Sequence, residues 1–168
     1  ASFTKFEEIE AWKTAELIVV QSYGLLKEGP GARDWSLKDQ IQRASVSIMC
    51  NISEGFESRS DRTFYDMLRR AKGSCGEVRT LTYIAAKIGH IPLQKYESLR
   101  PLCIKCSSQI QALMSHLEAT RPELPAEKGG GKFAFTFAPL HKPQAGCTFA
   151  LMLGNATATS DLRKSQAK

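Results

Sequence analysis

Residues 61–88 read DRTFYDMLRRAKGSCGEVRTLTYIAAKI. Within them Phe64, Leu68, Ala71, Cys75, Val78, Thr82 and Ala85 recur at alternating steps of four and three, which makes one apolar seam three heptads long. A helix brings all seven onto one face, whereas a strand would divide them between two. The stretch therefore predicts a long amphipathic helix, capped by Ser60 or Asp61 and ended by Gly89-His90. Leu81, Ile84 and Ile88 add a second apolar edge, so this helix is expected to meet more than one neighbour.

Outward from it, Leu99, Leu102, Cys106, Ile110, Leu113 and Leu117 keep the same spacing and predict a following helix, with Pro92 in its first turn. Pro101 lies inside that pattern, so a late start or a kink is expected there. Upstream, Leu37, Ile41, Ala44, Ile48 and Ile52 mark a helix that opens near Asp34 or Ser36 and is closed by Gly55 and the polar run Glu57 to Ser60. A first helix spans Phe6 to Lys27, with Ile9, Trp12, Ala15, Val19, Tyr23 and Leu26 on its apolar face, and stops at Glu28-Gly29-Pro30-Gly31. Four amphipathic helices on short connections predict an all-α, antiparallel up-down four-helix bundle over residues 3–121.

Residues 122–168 change character. Gly129-Gly130-Gly131 reads as a flexible linker, Phe133 to Phe137 alternates like a strand with Thr148 to Leu153 as a possible hairpin partner, and Ala156 to Lys168 reads as disordered. The expectation is a flexible C-terminal tail, mobile or ordered by a partner. With 42% hydrophobic residues in 168, one core is the natural content of the chain. No run approaches the roughly 18 apolar residues of a membrane span, and Ala1-Ser2-Phe3 lacks a signal-peptide profile. Five cysteines, an odd number, do not describe a disulfide framework. Together these predict a cytoplasmic protein with reduced thiols and no membrane partner.

The formal charge of +6 is concentrated: residues 59–105 hold ten basic side chains against four acidic ones, and the rest of the chain is neutral. Arg59, Arg62, Arg69, Arg70, Lys72, Arg79 and Lys87 fall largely off the apolar seam and are the candidate nucleic-acid-binding residues. A solvated charged face is the plain alternative, and the one-sided sign of the excess weighs against it. A second constellation runs beside the apolar stripe of the second helix. Gln40, Arg43, Ser47, Asn51 and Glu54 form a polar line at 3-4-4-3 spacing, with Ser74 and Glu77 of the third helix as prospective partners. An ion pair between Arg43 and Glu77 is expected, and its simplest use is to fix helix register.

Enzymatic patterns are absent from the sequence. His90, His116 and His141 are scattered, no metal-ligand spacing occurs, and no cofactor is implied. Cys103-Ile104-Lys105-Cys106 lacks the second cysteine pair of a zinc site and reads as core. Gly129-Gly130-Gly131-Lys132 lacks the spaced first glycine and the Ser/Thr of a phosphate loop.

The chain resembles the four-helix-bundle proteins encoded by intervening sequences in bacterial 23S rRNA genes. Phe6, Ile9, Trp12, Ala15 and Leu17 resemble that family's opening helix. Leu37, Gln40, Arg43, Ala44, Ser47, Ile48, Asn51, Ile52, Glu54 and Gly55 are similar to its "L-x-x-Q-x-x-R-A-x-x-S-I-x-x-N-I-x-E-G" signature. Phe64, Leu68, Ala71, Gly73, Ser74 and Glu77 are similar to its "F-x-x-x-L-x-x-A-x-G-S-x-x-E" helix. The likeness covers about residues 3–118, with Cys50 and the 47 residues after Arg121 departing from the pattern. It implies an up-down bundle assembled as a ring-like homopentamer. It also implies kinship with accessory proteins of diversity-generating retroelements, basic pentamers that bind a reverse transcriptase and nucleic acid.

The expected function is a non-enzymatic, oligomeric adaptor that contacts structured RNA, or a ribonucleoprotein, through the basic helix face. Five copies of +6 would carry a net charge of about +30, enough to attract RNA or DNA without reading sequence. The alternatives are a retroelement accessory subunit that binds its reverse transcriptase together with nucleic acid, and a purely structural homo-oligomer.

Overall fold

The computed structural model describes residues 3–121 together with Leu124. The linker, the Phe-rich stretch and the C-terminal segment expected from the sequence lie outside the described residues.

A single 3-10 turn at Phe6–Glu8 leads into α1 (Glu10–Leu25), and a second at Pro30–Arg33 leads into α2 (Trp35–Glu57). Then follow α3 (Asp61–Lys87) and α4 (Leu93–Thr120). Each helix packs on the next in sequence, and α4 closes against α1. Pairs across the interfaces run in opposite senses: Ser47 of α2 meets Ser74 of α3, and Tyr65 and Lys72 of α3 meet Glu118 and Gln111 of α4. The described residues thus form an all-α antiparallel four-helix bundle.

The seam of α3 is buried as its spacing predicts, with Leu68, Ala71, Cys75, Val78, Thr82 and Ala85 sealed from solvent. Tyr65 joins this buried set, while Phe64 is half-buried and meets Phe56 edge-on at 6.2 Å. Ile41, Ala44, Ile48 and Ile52 of α2 face it, and Leu99, Cys103, Cys106, Ile110 and Met114 come from α4. Capping follows sequence chemistry. Asp34 Oδ1 accepts the Leu37 amide at 3.0 Å, and Ser60 Oγ accepts that of Thr63 at 3.3 Å, each satisfying a first-turn donor with no intrahelical partner.

Three expectations are corrected. Gly55 does not close α2, which continues through Glu57. A Cβ on Gly55 would lie 2.8 Å from Met67 Cβ and 2.9 Å from Phe64 Cδ2, so the missing side chain admits α3. The turn is instead made by Arg59, whose φ of 55° lies in the left-handed region that usually follows a helix end. Pro101 does not delay α4, which starts at Leu93 and runs through it, with the proline on the exposed side. In α1 the buried face is Ala11, Thr14, Ala15, Ile18, Ser22 and Leu25, rotated from the one expected; Tyr23 stays 46% exposed.

Candidate nucleic-acid interface

The polar line of α2 is divided by its depth in the bundle. Ser47 and Asn51 are half-buried at the contact with α3: the Ser47 and Ser74 hydroxyls lie 3.0 Å apart, and Asn51 Nδ2 donates to both the carbonyl and the hydroxyl of Ser47, at 2.7 and 2.9 Å. Gln40, Arg43, Glu54 and Glu77 are exposed. The expected Arg43–Glu77 ion pair does not form. Arg43 Nη1 lies 3.8 Å from Asp39 Oδ2, one turn back on its own helix, with its side chain 80% exposed. A guanidinium that can stay hydrated beside a partner at i−4 has nothing to gain by reaching across to α3. These residues border two shallow open grooves. One, of about 500 Å³, includes Gln40, Arg43, Ser47 and Glu77; the other, of about 460 Å³, includes Arg43, Ser47, Asn51, Glu54 and the exposed Cys50.

The basic side chains of α3 sort by rotation about the helix. Lys72 donates to Gln111 Oε1 of α4, which fixes the edge of α3 that faces α4. Arg79, seven residues on, returns to the same line at about 100° per residue, and its charge reaches the Cys103 thiol of α4. Arg69 and Arg62 fall within roughly a quarter turn of it, and Lys87 returns to about the same angle as Arg69. Arg70 lies roughly 160° away, on the other side. Arg59 is outside the helix, with its guanidinium 5.5 Å from the centroid of Phe56 and 3.9 Å from Glu57. Five of the seven predicted residues, Arg62, Arg69, Lys72, Arg79 and Lys87, thus make one row about 37 Å long at 1.5 Å per residue.

No ion pair among the described residues engages that row, although Asp66 lies one helical turn from both Arg62 and Arg69. Ion pairs among the described residues join Lys13 to Glu10, Arg43 to Asp39, Arg59 to Glu57, His90 to Asp34 and Arg121 to Asp61, and use none of the five. The row stays beside the seam because cations at steps of 7, 3, 7 and 8 track the same three-to-four spacing that keeps Leu68 to Ala85 in the core.

Behind the row the interior holds thiols. Cys75, Cys103 and Cys106 are fully buried, and Cys106 Sγ donates to the Ala11 carbonyl at 3.4 Å. Burial pushes the Cys103 thiol up to about 12, and the Cys106 thiol beside Cys75, together with burial, raises Cys75 strongly. Protonated and sealed, they pack as small apolar groups. Among the described residues no group of three or more His, Cys, Asp or Glu is placed to hold a metal ion, and no helix is long and apolar enough to cross a membrane.

Two features of the surface escaped the sequence reading. Leu17 and Val20 of α1 are 53% and 67% exposed, and Tyr23 continues their line. Tyr83, between Arg79 and Lys87, is half-exposed and belongs to the basic row. Periodicity alone gives no sign that an apolar position will stay outside.

Fold and site together define a four-helix bundle whose third helix carries a row of cations that form no ion pair among the described residues. The model of the 23S rRNA-intervening sequence protein family matches residues 7–112, and the chain belongs to that family. Among solved structures it is similar to a protein of unknown function from the S23 ribosomal protein family of Bacteroides thetaiotaomicron VPI-5482, determined at 1.70 Å. The two are 19% identical with a TM-score of 0.57, and the match covers 62% of this chain and 97% of the other. No curated protein matches the chain.

Proposed function

We propose that the protein is a non-enzymatic, oligomeric adaptor that binds structured RNA, or a ribonucleoprotein, along the basic edge of α3. The observation that carries this reading is the row Arg62, Arg69, Lys72, Arg79 and Lys87, none of which is ion-paired among the described residues. Phosphates are the partners such a row fits: cations in one line neutralise successive backbone charges and release counterions, which gives affinity with little base specificity. Asp66, one turn from both Arg62 and Arg69, pairs with neither, in contrast to the Asp39–Arg43 and Glu10–Lys13 pairs on α2 and α1. Self-association is the second element of the proposal, supported by the exposed Leu17, Val20 and Tyr23 of α1. An oligomer would multiply the row and its attraction for nucleic acid.

The test is binding of a labelled structured RNA and a matched DNA duplex to the full chain across a salt series, with molar mass measured on the same sample. The reading expects affinity that falls steeply with salt at a mass above that of one chain. Absence of binding at low salt would remove direct nucleic-acid contact and leave a protein-binding platform.

A further inference from the structure

Tyr83 lies in the basic row one turn beyond Arg79 and one turn before Lys87. The residue is 44% exposed and its ring is contacted from two directions: Tyr96 of α4 packs against it in a T-shaped contact at 5.5 Å, and the Lys87 ammonium sits 5.4 Å from its centroid. Such contacts bias the ring toward one orientation before any ligand arrives, which lowers the entropy cost of binding. The ring packs on Tyr96 but is not part of the buried core, which is closed beneath it by Thr82 and Ala85. One turn before Arg79, Gly76 leaves the helix surface bare, with no heavy atom within 4 Å of where a Cβ would stand.

We propose that Tyr83, flanked by Arg79 and Lys87, is a stacking platform for one unpaired base, so that the basic edge engages a single-stranded stretch, a loop or an end, of the structured RNA. This rests on the nucleic-acid reading above and specifies its ligand. The order cation, aromatic, cation along the helix matches phosphate, base, phosphate along one strand; the cations call for an anionic partner, and the exposed ring between them favours one that also carries a planar base. A base-paired strand keeps its bases stacked inside the helix and offers none to the ring. The Lys87 ammonium occupies the ring face in the free protein through a weak exposed cation–π contact. A stacking base displaces it, and the freed ammonium is then one turn from the adjoining phosphate.

The probe is a short unstructured RNA, compared with the same strand carrying abasic nucleotides at its centre, each titrated against the full chain. The intact strand is expected to bind on the order of tenfold more tightly than the abasic one. Tyr83→Ala should remove that difference while leaving abasic-strand affinity and the salt slope unchanged, and Tyr83→Trp should restore it. The abasic strand doubles as the folding control, because a misfolded variant would lose it too. Equal affinity of the two strands for the unaltered protein, with a steep salt slope retained, would overturn the stacking platform and leave phosphate binding standing. Failure of both strands to bind at low salt would overturn the platform, and the structured-RNA titration then decides the nucleic-acid reading separately.

Discussion

Thr14, Ser22, Ser45 and Thr82 are the buried polar side chains among the described residues, and each is a small hydroxyl inside a helix. Ser45 and Thr82 return their protons to the carbonyls of Gln42 and Val78, both at 2.7 Å, but the Ser22 hydroxyl has no partner among the described residues. An unsatisfied buried hydroxyl costs its desolvation, so Ser22→Ala is expected to raise stability by about 1 kcal/mol in urea unfolding. Asp34 argues in the opposite sense. Its carboxylate caps α2 through the Leu37 amide and lies 3.0 Å from His90 Nε2. The cap bond first, and His90 second, hold its pKa below the usual 3.8. A lowered carboxyl pKa means that the folded chain binds fewer protons than the unfolded one near that value. The stabilisation is therefore present above pH 3.8 and lost as pH falls through the lowered folded pKa. Asp34→Asn keeps a capping oxygen but not the charge, so its melting temperature should fall less steeply than that of the unaltered protein over this acid range, measured by circular dichroism.

Among the elements, α3 was the most legible from sequence because its seam is unbroken and its flanks are charged, leaving one way to turn the helix inward. In α1 the same reasoning chose the wrong rotation. Trp12, Leu17, Val19, Val20 and Tyr23 supply apolar side chains beyond the buried face, while small residues such as Ala11, Thr14 and Ser22 occupy the core. Periodicity ranks faces by bulk, whereas close helix approach favours small side chains, and the two criteria part when a helix is apolar on more than one side. Gly55 shows the same limit. In sequence it resembles a stop, yet it sits inside α2 as the point of closest approach to α3, against Phe64 and Met67. Gly55→Ala should therefore cost about 1–3 kcal/mol by overpacking, although alanine is the better helix former. A stabilised Gly55→Ala protein in chemical denaturation would show that the two helices are not in contact there.

At the scale of the whole molecule, the heptads of α3 and α4, the two caps and the short connections were enough to derive the bundle. The site was legible in part. Charge counting found the basic residues, but only the packing of α3 against α4 separates the row of five from Arg70 and Arg59, and pairing across helices placed Ser47 with Ser74 while leaving Arg43 on the surface. Net charge does not distinguish these positions; location does. The most direct measurement is accordingly the salt dependence of structured-RNA affinity for the full chain, compared with Arg62→Ala/Arg69→Ala/Arg79→Ala and with Arg43→Ala. The account predicts a log–log slope steeper than about −3, flattened by about 2 in the triple variant and unchanged in Arg43→Ala. A slope that the triple variant leaves intact, or one that Arg43→Ala flattens as much, would contradict a binding edge on α3.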